Sequence, residues 1–340
     1  MNTKAIDITN IFLMLIACAL SFAMPFELFL FSYAVLGPLH YLSEIGWLHK
    51  RNYFSNGKFD YVWLVVLSLF LFVFSYVYTH NYLIAYFLIF LAFASALVFI
   101  LFKDAWIKVI FIVIAGCAGI LLMHFSMLLF LFALFLPTLV HSFVFTGLFM
   151  INGALKNKSV TGLISVVTFG LCGLVFFIWQ PVFSFYNVSD YAKNAYVMGG
   201  DGFVNLSVGF MRTFHLADIQ MFNLGKDALY AVFHSKAGLS VGRFIAFAYT
   251  YHYLNWFSKT NIIKWHLLPK KWLLAITVLW IISVALYAYD FRTGLIVLYF
   301  LAYLHVFLEF PLNYRSMIGI GHELKRFPGF KSFFQRSVAN

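Results

Sequence analysis

Charged residues are scarce in this chain. Only 10% of its 340 residues are Asp, Glu, Lys or Arg, whereas a water-soluble domain keeps roughly a quarter of its residues charged because its surface faces water. The apolar fraction is 63%, the mean hydropathy is +0.90, and phenylalanine alone occurs 44 times. These values exclude a soluble globular protein and predict an integral membrane protein.

Cysteines and known chemical motifs are also scarce. The cysteines at positions 18, 117 and 172 lie inside apolar stretches and lack the spacing of a disulfide framework or a zinc motif. The sequence contains no glycine-rich phosphate loop, no Cys-x-x-Cys-His and no His-Glu-x-x-His. The formal charge is +11, and a Lys/Arg excess is typical of the cytoplasmic loops of membrane proteins. We therefore expect no nucleic-acid partner.

Long apolar runs predict the membrane spans. A hydrocarbon core about 30 Å thick needs about 20 apolar residues per helix. Gly37-Pro38 in the second run and Pro137 in the sixth are expected to kink their helices. The pattern predicts an all-α, polytopic transmembrane helical bundle in one membrane domain, residues 1–340, with about ten spans at 7–23, 26–47, 60–79, 82–102, 105–123, 125–150, 159–182, 239–258, 272–290 and 293–312.

The basic residues predict the orientation of the bundle. With the N-terminus in the cytoplasm, the inner segments hold all of the 23 basic residues except Lys193, Arg212, Lys226, Lys236, Arg243 and Arg292. This asymmetry follows the positive-inside rule. We expect a multi-pass protein of a bacterial inner membrane with both termini in the cytoplasm.

Two segments lie outside the predicted spans. Residues 183–238 form one long extracytoplasmic connection with many aromatic residues and scattered charges, which is typical of short amphipathic helices at the interface that cap a bundle. Residues 313–340 form a basic cytoplasmic tail, expected to lie near anionic lipid head groups. The oligomeric state is not predicted.

Four of the 11 histidines fall inside spans, where an ionisable side chain is costly and points to a function. They are His40, His141, His252 and His305, on the second, sixth, eighth and tenth spans. All four spans run in the same direction, and each histidine lies in the second half of its span. The pattern predicts four imidazoles at a common depth in the cytoplasmic leaflet, and therefore a metal site.

Acidic and amide side chains accompany these histidines. Glu44 follows His40 by four residues, and Glu309 follows His305 by four residues, a spacing that places both members of a pair on one helix face. Each carboxylate is expected to accept the distal ring N–H of a metal-bound histidine, either its own neighbour or one on another helix. Asn255 is three residues past His252 and is predicted to lie on the same face, so Glu44, Glu309 and Asn255 are candidate catalytic residues.

The histidine count bears on the choice of metal. Four neutral imidazoles saturate tetrahedral zinc, so a zinc site here would be structural. Iron(II) is commonly six-coordinate, so four histidines leave positions for O₂ or another ligand. We expect Fe(II), with haem b or zinc as the alternatives.

Two short segments resemble a known family. Pro38-Leu39-His40-Tyr41-Leu42-Ser43-Glu44 is similar in spacing to the Pro-His motif, with an acidic residue four places on, of the bacteriorhodopsin-related-protein family of membrane β-carotene cleavage dioxygenases. The segment 251–256 around His252 is similar to that family's aromatic-histidine helix. This chain has an additional residue between Pro38 and His40 and no glycine after His40. The resemblance implies an iron-dependent, O₂-using enzyme of an apolar polyene or lipid.

Three functional classes remain open from sequence. The first is a non-haem iron oxygenase whose apolar, lipid-like substrate enters from the bilayer. The second is a haem-binding electron-transfer protein in which the histidines form two axial pairs. The third is a proton-coupled transporter or an acyltransferase that uses one or two of these residues for proton relay or general base catalysis.

Overall fold

The predicted all-α membrane bundle is confirmed. A computed structural model describes residues 3–76, 82–125, 127–128, 131–181, 186–198, 202–217 and 226–326. These residues form helices and short connections, with no strand among them. The helices are α1 (Thr3–Ala23), α2 (Pro25–His49), α3 (Asp60–Tyr76), α4 (Tyr82–Leu101), α5 (Ala105–Leu122), α6 (Leu131–Lys156), α7 (Val160–Ile178), α8 (Asp190–Met198), α9 (Gly202–Thr213), α10 (Lys226–His234), α11 (Lys236–Ser258), α12 (Lys270–Tyr289) and α13 (Phe291–Arg326).

Each of the ten predicted spans corresponds to one of these helices. Within the described ranges, eight are long and apolar enough to cross a membrane: α1, α2, α4, α5, α6, α7, α12 and α13. Helix α3 is equally apolar but has 17 residues. Helix α11 is long but less apolar, because it carries Arg243, His252 and Asn255.

Helix α11 is the central helix of the bundle. It packs against α1, α2, α6, α7, α9 and α10, and nearly all of its residues from Gly238 to Trp256 are buried. Its polar side chains therefore face other helices and not lipid. This environment explains how a span with several polar residues fits inside an apolar bundle.

The two predicted proline kinks take the form of π-helical segments. In α2 the segment Ser32–Leu36 precedes Gly37-Pro38, and in α6 the segment Leu131–Phe145 contains Pro137. A proline removes one backbone N–H from the helical ladder, and a wider turn accommodates the change. His141 lies within the second segment and His40 lies one turn after the first.

The segments outside the predicted spans differ in part from expectation. Helices α8 and α10 keep an exposed face, with Tyr191 57% and Tyr230 67% exposed, as expected of helices that cap a bundle. Helix α9 is instead buried along Val204–Met211, because it packs against α11. In the predicted tail 313–340, α13 continues as helix through Pro311 to Arg326, and residues 327–340 lie outside the described residues.

We call one end of the bundle the basic end. At this end α1 begins beside Lys4, α2 ends beside Lys50, α6 ends at Lys156, and α11 ends beside Lys259. The helices α8–α10 lie at the opposite end, because they connect the far end of α7 to the start of α11. His252 lies seven residues before Lys259, and at about 1.5 Å per residue its Cα is about 10 Å from the basic end.

Candidate metal centre

The four span histidines come from four different helices and meet at one point. They lie on α2, α6, α11 and α13, and each is at most 7% exposed. Ring centroids are 4.6 Å apart for His40–His252, 4.7 Å for His141–His252, 5.2 Å for His141–His305 and 5.6 Å for His40–His305. These contacts close into a ring of four imidazoles.

The ring nitrogens have the spacing of a metal site. One nitrogen from each of His40, His141 and His305 lies within 4.8 Å of the other two. The Nε2 atoms of His40 and His252 are 3.1 Å apart. A metal–nitrogen distance of about 2.1 Å puts two ligand nitrogens about 3.0 Å apart at a right angle and about 3.4 Å apart at the tetrahedral angle. The cluster therefore fits a single ion with small adjustments of the side chains.

Two histidines have Nδ1 close to an oxygen of a side chain on another helix, with a hydrogen bond at His252 and none at His141 among the described residues. Thr146 Oγ1 on α6 lies 2.8 Å from Nδ1 of His252. Glu309 Oε2 on α13 lies 3.1 Å from Nδ1 of His141. A neutral imidazole that donates its Nδ1–H to such a partner keeps the lone pair of Nε2 for a metal.

Glu309 therefore lies beside His141 on a neighbouring helix, which is one of the two expected arrangements. It is not paired with His305 in its own helix. This pairing arises because the side chain of Glu309 points across the interface between α13 and α6, two helices that pack together. His305, one turn away along α13, faces the rings of His40 and His141 instead.

Glu44 lies beside His40, one of the expected histidines, but it approaches a different ring nitrogen from the distal one that the sequence predicts. Its Oε2 is 3.2 Å from Nε2 of His40, the same nitrogen that faces His252. The Nδ1 of His40 has no hydrogen-bond partner among the described residues. The sequence predicts that Glu44 accepts the distal N–H of a histidine. At His40 the structure does not show this arrangement. It lies beside the ligand nitrogens, where it could bind a metal directly.

Several buried polar atoms in the cluster lack a partner. Across the described part of the chain, Nε2 of His141 and Nε2 of His305 accept or donate no hydrogen bond. A buried polar atom left in this state costs about 1–3 kcal/mol. A metal ion bound by these nitrogens would remove that cost, and the donor set of imidazoles and carboxylates suits a divalent transition metal.

A cavity joins the cluster to the basic end. At its floor are His40, Glu44, Thr146, His252 and Glu309, its walls are formed by Phe145, Phe149, Trp256 and Leu312, and Asn255, Lys259 and Ile263 complete the lining. The side chain of the predicted residue Asn255 is buried, and its Oδ1 has no hydrogen-bond partner within the described residues. Five of the seven predicted site residues thus line this cavity, and the other two, His141 and His305, contact the rings of His252 and His40.

Sequence reasoning did not identify Thr146 or Lys259. Thr146 is 106 residues from His252 along the chain, so no local spacing connects them. Lys259 has a usable signal, because it follows Asn255 by four residues and His252 by seven, which places all three on one face of α11.

The comparisons with known proteins add no family assignment. No protein-family model, no curated protein and no solved structure matches this chain. The structure by itself shows a helical membrane protein with a buried histidine cluster that could hold a metal ion.

Proposed function

We propose that this protein is a membrane-embedded non-haem iron oxygenase that acts on an apolar, lipid-like substrate. The observation that carries the proposal is the convergence of four buried imidazoles from four helices, with Nε2 of His40 and Nε2 of His252 3.1 Å apart. Bound iron would supply activation of O₂ at this position.

The two carboxylates favour iron over a structural zinc ion. Four imidazoles alone complete the tetrahedral shell of zinc, which leaves no role for Glu44 at the ligand nitrogen of His40. A six-coordinate ion accepts four imidazoles and further oxygen ligands. Two carboxylates also offset the charge of a divalent cation, which is costly to bury among neutral groups.

The spacing of the rings argues against haem. Two axial imidazoles on opposite sides of one haem iron need Nε2 atoms about 4 Å apart, twice a metal–nitrogen distance of about 2.0 Å. The macrocycle must also pass between the two rings. His40 and His252 are closer than this, and both rings also contact a third histidine.

The residues of the chain have distinct tasks in this proposal. Thr146 and Glu309 lie beside Nδ1 of His252 and Nδ1 of His141, where they would accept the Nδ1–H when Nε2 binds the metal. The aromatic walls at Phe145, Phe149 and Trp256 exclude water and contact the apolar part of the substrate.

The membrane location follows from the charge distribution. The basic end corresponds to the cytoplasmic side under the positive-inside rule, so the cluster lies in the cytoplasmic leaflet, and we propose a bacterial inner membrane with both termini in the cytoplasm. The substrate and the surrounding lipids are the expected partners.

Metal analysis of the detergent-purified protein tests the proposal. We expect about one equivalent of iron, no Soret band in the absorption spectrum, and loss of the iron in His141→Ala and His252→Ala. His322→Ala serves as the control, because His322 is exposed near the end of α13. Protein purified without metal that fails to bind added Fe(II), or cluster variants that keep their iron, would contradict the proposal.

A further inference from the structure

Two cavities meet at the basic end of the bundle. One is the cavity above the histidine cluster, and the second lies between α1, α6, α7 and α11 and is lined by Ile6, Asp7, Asn10, Met150, Gly153, Ala154, Asn157, Ser159, Gly162, Ser165 and Ile262. Asn255 and Lys259 line both cavities. Their side chains therefore mark the junction between the second cavity and the candidate metal centre.

Two polar side chains of the second cavity, Asp7 and Asn10, already form hydrogen bonds within the protein. Asp7 accepts hydrogen bonds from Ser159 at 2.7 Å and from Thr161 at 2.9 Å. The amide oxygen of Asn10 accepts from Tyr251 at 3.1 Å and from Ser258 at 2.8 Å. These hydrogen bonds connect Asp7 to α7 and Asn10 to α11.

The two residues at the junction are not paired in this way. Asn255 is 8% exposed, and its Oδ1, a hydrogen-bond acceptor, has no partner within the described ranges, so this atom suits a donor and not an anion. Lys259 is half-buried, and among the described residues its Nζ forms neither a hydrogen bond nor an ion pair within 4.0 Å. Its ammonium lies 5.9 Å from the ring centre of Phe149, and Asp7 acts on it only at longer range.

Lys259 has no carboxylate within 4.0 Å among the described residues, and the nearby acidic residue that acts on its charge is Asp7. Burial lowers the pKa of Lys259 to about 8, and the negative charge of Asp7 opposes this effect only in part. Desolvation of a charge is costly unless the charge is paired. An anion that enters the junction would provide the missing partner.

The three polar residues of α11 form a line from the junction to the cluster. Lys259, Asn255 and His252 lie on one face of the helix, with Lys259 seven residues from His252. At about 1.5 Å per residue the two ends of this line are about 10 Å apart. Between them the cavity is walled by aromatic and aliphatic side chains.

We infer that Lys259 binds the anionic head group of an amphiphilic lipid whose apolar chain extends to the histidine cluster. This inference rests on the proposed function for the identity of the reacting end, and it narrows the substrate class from any apolar molecule to one with an acidic head group. The reacting position of the chain would lie about 10 Å from the head group. A carboxylate and a phosphate share the required chemistry, since both accept hydrogen bonds from an ammonium.

Binding of a fluorescent polyene fatty acid to the detergent-purified full chain tests the inference. We expect the acid to bind roughly 10- to 100-fold more tightly than its methyl ester, the range set by one charge-assisted hydrogen bond. Lys259→Met should abolish this preference, whereas Lys259→Arg should keep most of it because the guanidinium retains the charge. The matched control is Lys264→Met, since Lys264 is exposed at the same end of the bundle.

Competition separates the two sources of the anion. Displacement of the probe by dodecanoate alone indicates a carboxylate head group, and displacement by phosphatidic acid alone indicates a phosphate. Equal binding of the acid and its methyl ester, or an unchanged preference in Lys259→Met, would overturn the inference. The iron content of the same samples is measured in parallel. A head-group preference in protein that cannot bind iron leaves this inference standing and rejects the proposed function.

Discussion

The outer ring nitrogens of the histidines decide how the cluster can act. An imidazole binds a metal through one nitrogen only when the other carries the proton. Beside Nδ1 of His252 and Nδ1 of His141 lie Thr146 Oγ1 and Glu309 Oε2 respectively. With a metal bound, we expect both oxygens to accept the Nδ1–H and to hold the direction of the ring, so their removal should weaken metal binding without removing a ligand.

Thr146→Val tests this role. The substitution preserves the shape of the side chain and removes the acceptor for Nδ1 of His252. Loss of such an outer contact typically lowers metal affinity by about 10- to 100-fold, which metal retention during dialysis against a chelator would measure. Thr138→Val is the control on the same helix, because within the described ranges the hydroxyl of Thr138 bonds to the backbone of Leu134 and to no side chain. Equal iron retention in the two variants would exclude this role for Thr146.

The lowered pKa of Lys259 predicts a pH dependence of fatty-acid binding. Below about pH 8 the ammonium is charged and pairs with the carboxylate, and above about pH 8 the neutral amine gives little attraction. Affinity for the acid should therefore fall as the pH rises from 7 to 9.5. Lys259→Arg should show no such fall, because its guanidinium stays protonated over this range. A fall of the same size in Lys259→Arg would assign the effect to another group.

The sequence predicts which residues of the candidate site lie close together, but not which atoms of these residues meet. The positions of His40, His141, His252 and His305 in parallel spans indicate a common depth, and the i,i+4 spacing correctly places Glu44 beside His40. Spacing along one helix cannot show which nitrogen Glu44 approaches. It also cannot show that Glu309 reaches the neighbouring helix, since that depends on how α13 and α6 are rotated against each other.

At the scale of the helix, the π-helical segment of α6 positions His141. The segment Leu131–Phe145 contains Pro137, and Phe143 from the same segment packs against Phe169 and Phe244 at ring-centroid distances of 4.4 and 4.9 Å. Gly173 of α7 lies directly under this ring: a Cβ added there would lie 2.6 Å from Phe143 Cζ. The absence of a side chain at position 173 allows the segment to approach α7.

Gly173→Ala should therefore disturb the candidate metal centre from a distance. The Phe143 ring contacts Phe169 and Phe244, so we expect the added methyl group to displace the segment that carries His141. Overpacking of this kind costs about 1–3 kcal/mol. We expect a lower melting temperature in detergent and a lower iron content.

Gly170→Ala provides the matched control on the same helix. No atom lies within 4 Å of a Cβ added at Gly170, and replacing a glycine inside a helix by alanine stabilises it by roughly 0.5–1 kcal/mol. Wild-type iron content in both variants would show that the contact between Gly173 and Phe143 does not position His141.

The helices themselves are largely predictable, and their environments are not. Apolar runs of about 20 residues identify the spans because lipid requires them. Burial of α9 is a property of tertiary packing, since its residues 204–211 face α11 and other parts of the bundle. Hydropathy likewise does not predict that α13 continues to Arg326, because a helix can extend beyond the membrane as a polar helix.

At the scale of the whole molecule, the orientation of the protein in the membrane determines which leaflet supplies the lipid that reaches the proposed head-group site. The junction of Asn255 and Lys259 lies at the basic end, and helices α8–α10 lie at the opposite end. If the positive-inside rule holds, lipids of the cytoplasmic leaflet have the shorter route to the cavity. A reversed protein would take its substrate from the other leaflet.

Labelling of single cysteines in intact cells tests the orientation. In a background without the three native cysteines, Tyr191→Cys on the exposed face of α8 should react with a membrane-impermeant maleimide. Lys264→Cys, exposed at the basic end, should react only after permeabilisation. Both positions are exposed, so a difference between them reports the side of the membrane and not burial. The opposite pattern would contradict the proposed topology and place the cavity mouth on the outer side, while equal labelling in intact cells would show that the two ends are not separated by the membrane.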